Sequence, residues 1–175
     1  MRLRLLAIVS ALLVAIVAFP FVATAQTTNI ARISSTTYYD MTGSGVNLCS
    51  EEAIIEAIVS YSGIGAELGG NGTGELEIYA SSDFFEFGGY LEVGGETVYV
   101  EGGGSLFCVL PGMAIVSGEF IMYGDEPIES APTALQIEEG EVVCGSLTGS
   151  IQDGAHPRQG RVSLTLTGST ECIFA

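Results

Sequence analysis

Outside its carboxylates, the chain has few residues able to do acid–base or nucleophilic chemistry. Its single histidine, His156, lies in Asp153-Gly154-Ala155-His156-Pro157-Arg158. No Gly-x-Ser-x-Gly elbow accompanies it, so a Ser-His-Asp triad would have to be built around a loop histidine. The simpler reading is an exposed histidine beside a turn-forming proline. The four cysteines, Cys49, Cys108, Cys144 and Cys172, stand 59, 36 and 28 residues apart. Zinc sites need close pairs such as Cys-x-x-Cys, so this spacing speaks for two disulfides. The expected pairs are Cys49–Cys108 and Cys144–Cys172, which would leave no thiol for a Cys-His couple.

Carboxylates are abundant, with 17 Glu and four Asp. A pair of them could serve a glycoside hydrolase as acid and base. Such pairs need burial or a close neighbour to separate their pKa values, whereas Glu75, Glu77 and Glu92 fall at outward positions of alternating segments. The chain also has no Trp on which a sugar ring would stack. Hard oxygen ligands for calcium are offered by Asp125 and Glu126 after Gly124, and by Glu138 and Glu139 before Gly140. These are weak candidates, since neither stretch has the EF-hand spacing. Gly69-Gly70-Asn71-Gly72-Thr73-Gly74 partly matches the calcium-binding nonapeptide of β-rolls. It occurs once, however, and Gly74 stands where the ligand Asp belongs, so it reads as a glycine-rich turn region. No metal site is firm, and calcium is the one cofactor suggested.

Charge and leader set the compartment. The chain has no Lys, five Arg, and a formal net charge of −16 over 175 residues. Arg2 and Arg4 precede an uncharged run from Leu5 to Val22, and Ala23-Thr24-Ala25 ends it with small residues. This is the pattern of a secretory signal peptide over residues 1–25, with an uncleaved membrane anchor as the competing reading. Residues 26–175 then form one mature domain. All 21 acids lie after residue 25, against three arginines, giving a net charge of −18. That excludes a nucleic-acid partner, which needs clustered Lys and Arg, and attraction to anionic lipid. A secreted, extracellular protein is expected, with no membrane contact once the signal is cleaved.

The elements that must position these residues read as strands. Glu75-Leu76-Glu77-Ile78-Tyr79-Ala80 alternates strictly. Tyr90 to Val93 and Glu96 to Val100 flank Gly94-Gly95, a pair that suits a type I′ turn. Such a turn sets Tyr90 opposite Tyr99, Leu91 opposite Val98 and Glu92 opposite Thr97. Leu106 to Leu110 and Met113 to Met122 flank Pro111-Gly112 and are apolar on both faces, which suggests central, doubly covered strands. Val142 to Ile151 and Val162 to Thr167 follow. The stretch near 51–61 is ambiguous between one short helix, capped by Ser50, and a strand.

Nine to ten short strands with glycine turns and two disulfides suggest an all-β fold. An antiparallel β-sandwich of jelly-roll or Ig-like type is the first expectation, and a closed β-barrel the alternative. The function expected is a non-catalytic structural or binding module outside the cell, acting on an unknown extracellular partner or surface. Tyr79, Tyr90 and Tyr99, on the outward face, are the candidate contact patch, because Tyr favours interfaces. Their plainer role is to cover a pleated sheet. A calcium-stabilised adhesive module and, more remotely, a carboxylate-dependent secreted hydrolase are the other classes.

Overall fold

The computed structural model describes residues 28–35, 38–40, 48–49, 52–124, 142–154 and 159–172. Among the described residues nine strands follow one another: β1 (Ile30–Ser35), β2 (Tyr38–Asp40), β3 (Ala53–Ile64), β4 (Gly70–Ala80), β5 (Phe84–Val93), β6 (Glu96–Leu110), β7 (Met113–Tyr123), β8 (Val143–Asp153) and β9 (Gly160–Ser169). From β3 to β9 each pairs antiparallel with the next. Closure comes from β1, which pairs with β9 through Ile33↔Leu164 and with β3 through Ile33↔Tyr61. β2 continues along the same edge of β3, with the register moved by one residue. Eight antiparallel staves therefore close into an up-and-down barrel. The sandwich expectation is corrected to the barrel alternative: β1 hydrogen-bonds on both sides, so the sheet has no free edge there to fold into a second layer.

An eight-stranded barrel is just wide enough for side chains to fill, and alternation supplies them. Odd positions of β3 (Ala53, Ile55, Ala57, Val59, Tyr61) point inward, as do Leu76, Ile78 and Ala80 of β4 and Val162, Leu164 and Leu166 of β9. Where the space tapers, a glycine on one strand lies beneath a large side chain of another. A Cβ at Gly102 would meet the Phe87 ring at 2.6 Å, one at Gly168 the Phe120 ring at 2.8 Å, and one at Gly89 the Leu76 side chain at 2.9 Å. These glycines are packing positions.

The stretch near 51–61 is strand β3, and the helical reading is corrected. Burial follows a period of two, leaving Ile58 72% exposed, and eleven consecutive residues pair with β4. The glycine-rich region after Gly63 is less of a loop than its composition suggests, because β4 already begins at Gly70. The Gly94-Gly95 hairpin keeps the expected register, Tyr90↔Tyr99 and Leu91↔Val98, with positive φ at both glycines. The runs flanking Pro111-Gly112 are not doubly covered. Phe107 is 71% exposed and its cross-strand partner Ile115 47%.

Two disulfides fasten the rims. Cys49 is bonded to Cys108, and Cys144 to Cys172. Both are in keeping with an oxidising, extracellular setting.

Candidate acidic groove and tyrosine face

Strands β4 to β7 carry the candidate site on the outside of the barrel. Two lateral rows make it. In one, Glu77 of β4 faces Gly88 of β5, which faces Glu101 of β6. In the next, Glu86 of β5 faces Gly103 of β6, which faces Glu119 of β7. Each outward glycine leaves the sheet bare between two carboxylates, which stand two strand spacings apart, about 10 Å. The result is an open groove of about 640 Å³, lined also by Tyr79 and Ile121. Its backbone floor is rigid, since every residue of it lies in the ladder.

The acidic row continues past the groove, where Glu56 of β3 stands directly opposite Glu77. Like charges facing each other across a ladder are destabilising. Stability alone gives no reason for this placement.

The three tyrosines singled out from the sequence all lie on this outer face, half-buried, and Tyr123 joins them. Tyr90 pairs with Tyr99, and Tyr99 with Tyr123, whose ring stacks on it at 5.6 Å. Tyr79 packs against Phe84 with centroids 5.5 Å apart. Three of the hydroxyls are tied to carboxylates. Tyr123 donates to Glu101 at 2.5 Å, and partial burial, then that bond and charge, push its pKa up to about 12. Tyr79 is hydrogen-bonded to Glu52 and Tyr90 to Glu75, and both phenols are raised. For Tyr79 desolvation leads; for Tyr90 the charge of Glu75 does. Tyr79 thus stands beside Glu86 at one side of the groove, and the Tyr90–Tyr99–Tyr123 row runs along the other side beyond Glu77 and Glu101. The hydroxyls of Tyr79, Tyr90 and Tyr123 are held by carboxylates.

No family model, curated protein or solved structure matches this chain. The site therefore rests on its own geometry.

The other sequence candidates fall elsewhere. Asp125, Glu126, Glu138, Glu139 and His156 lie outside the described residues, so the calcium and histidine readings gain nothing from the fold. Among the described residues no three His, Cys, Asp or Glu side chains converge as metal ligands. Sequence reasoning placed Glu75, Glu77 and Glu92 outward but missed the role of Gly88 and Gly103. Its available signal was glycine at an outward position of an alternating strand, flanked across the ladder by glutamates.

A second concavity lies at the rim formed by the β3–β4 turn, the Gly94-Gly95 turn and the ends of β7 and β8. It measures about 450 Å³ and is walled by Tyr61, Val93, Val98, Met122 and Val143, with Glu67 among its polar residues. No sequence motif pointed to it.

Proposed function

We propose that this protein is a secreted, non-catalytic binding module whose acidic face on β4 to β7 takes a cationic extended segment, such as a Lys- or Arg-rich stretch of an extracellular partner. The observation that carries this is the pair of rows Glu77–Gly88–Glu101 and Glu86–Gly103–Glu119. Their bare glycine floors leave room for an aliphatic stem to lie on the sheet, with its charged head between two carboxylates. The surrounding net negative charge would raise the local concentration of such a partner and speed its association.

Two further features support the reading. Many outward positions of the barrel are Glu, Ser or Thr, interspersed with exposed apolar residues such as Ile58, Phe107 and Ile115. The interior is apolar, whereas a barrel that faces lipid has a polar interior. The groove carboxylates are open to water, whereas acid–base pairs in hydrolases are enclosed. The test is isothermal titration of the purified, oxidised protein with a tetralysine peptide, using tetraglutamate as control. Tetralysine binding that weakens at least about tenfold in the Glu86→Gln, Glu119→Gln double variant, and not in Glu171→Gln, is the expected result. Binding that is indifferent to the double variant would count against the groove.

A further inference from the structure

The rim cavity is lined by two carboxylates, Glu67 and Glu96, of which Glu67 lies against the barrel mouth. Glu67 sits in the short β3–β4 turn, and three contacts hold that turn rigid. Its backbone N–H donates to Asn29 Oδ1 at 3.2 Å, and Tyr61 Oη donates to the carbonyl of Leu68 at 2.6 Å. Leu68 itself is 1% exposed and closes the β3 side of the barrel mouth. Gly65 completes the turn with φ of 111°, pressed so closely on Asn29 that a Cβ there would meet Oδ1. Glu67 is thus presented by a fixed scaffold, which is what a binding residue requires.

Glu67 Oε2 is shut off from water and has no hydrogen-bond partner among the described residues. A buried acceptor without a donor is costly and calls for an explanation. Tyr61, Val93, Val98, Met122 and Val143 give the cavity an apolar side, Glu96 and Thr97 add polar atoms, and among the described residues no lining residue is basic. The volume lies within the range of small-molecule sites, which are apolar clefts with a few convergent polar groups, often in the mouths of β-barrels.

We infer that this cavity is a binding site for a small amphipathic amine, its apolar body against Val98, Met122 and Val143 and its ammonium on the Glu67 carboxylate. The terminal torsion of a glutamate is soft, so either oxygen can turn toward the ligand. A cation is favoured over a neutral donor because the missing partner belongs to a carboxylate and the whole chain is strongly acidic. This site is separate from the outer groove, and neither depends on the other.

Three probes with the same body and different heads test it: n-octylammonium, n-octanol and n-octanoate, titrated into the purified oxidised protein by calorimetry. Octylammonium should bind at least about tenfold tighter than octanol, the worth of a charge-assisted hydrogen bond, with octanoate weakest. In Glu67→Gln, which keeps the side-chain shape, the ammonium preference should vanish while octanol affinity stays. Val98→Phe, which fills the cavity, should weaken all three. The titrations are made in the Glu86→Gln, Glu119→Gln background, so that an aliphatic amine taken by the outer groove does not contribute, and the Glu67-dependent ammonium preference should persist there. Equal affinity for ammonium and alcohol, an ammonium preference that survives Glu67→Gln, or no binding of any probe would each overturn the proposal.

Discussion

The hydroxyl of Tyr61 donates to the backbone carbonyl of Leu68 across 2.6 Å, inside the barrel mouth and away from water. One bond thereby joins the end of β3 to the turn that closes the barrel above it. Tyr61→Phe leaves that carbonyl unpaired in a buried site, a loss of about 1–3 kcal/mol. The melting midpoint should fall by about 3–10 °C, read by circular dichroism. Burial also pushes the Tyr61 phenol up to about 12 from an ordinary 10. A raised phenol means the folded state holds its proton more tightly than the unfolded chain does. Its stabilisation is complete below pH 10 and is lost as pH rises from 10 through 12. Between those values wild type should lose stability faster than Tyr61→Phe. Parallel curves would show that Tyr61 does not set the alkaline limb.

Gly118 and Gly88 separate the two uses of glycine in this barrel. A Cβ on Gly118 would lie 2.0 Å from the carbonyl oxygen of Gly103 and 2.9 Å from Cα of Gly104, both backbone atoms of β6. Neither can move without opening the β6–β7 ladder. A Cβ on Gly88 meets only the flexible Glu101 side chain, at 3.8 Å. Gly118→Ala is therefore expected to cost several kcal/mol or to prevent folding, by the overpacking mechanism. Gly88→Ala should change stability by no more than about 0.5 kcal/mol. Because it places a methyl on the groove floor, it should still weaken tetralysine binding. Urea denaturation and titration of the two variants check both halves.

How much of this was legible in the sequence depended on range. The Tyr90–Tyr99 register was, because a Gly-Gly turn and an alternating pattern agree within eleven residues. Barrel closure was not, since it rests on β1 meeting β9 across more than a hundred residues, and no local pattern separates a closing strand from an edge. The helical reading of the stretch near 51–61 failed because Ile54 and Ile58 fit a helix face as well as they fit the outside of a strand. Pairing with β4 decided it. Glu67 carried only a weak signal, a lone Glu-Leu between glycines. Its importance comes from Asn29 and Tyr61, which only the tertiary fold brings to that turn.

The two disulfides should contribute unequally. Cys49–Cys108 spans 59 residues and Cys144–Cys172 spans 28. On the chain-entropy account, closing these loops in the unfolded state is worth about 4.2 and about 3.6 kcal/mol respectively. Paired Cys→Ser replacements at 49 and 108 should lower the urea-derived stability more than those at 144 and 172, with a difference of about 0.6 kcal/mol. A larger loss from the 144–172 pair would mean that the native constraint at the β8–β9 end matters more than loop length.

The acidic face makes a last prediction about salt. Glu56 and Glu77 face each other directly, and the groove pairs stand about 10 Å apart, near the screening length at 0.1 M salt. Added salt therefore screens repulsion that the folded state concentrates and the unfolded chain spreads out. The melting midpoint should rise from 10 mM to 0.5 M NaCl. Glu56→Gln should raise the low-salt midpoint and shallow the slope, because it removes the directly opposed pair. Tetralysine affinity should move the other way and fall with salt, since the same field attracts the ligand. A midpoint that falls as salt is added would mean that favourable ion pairs outweigh this repulsion, and the face would then not be an exposed store of like charge awaiting a cation.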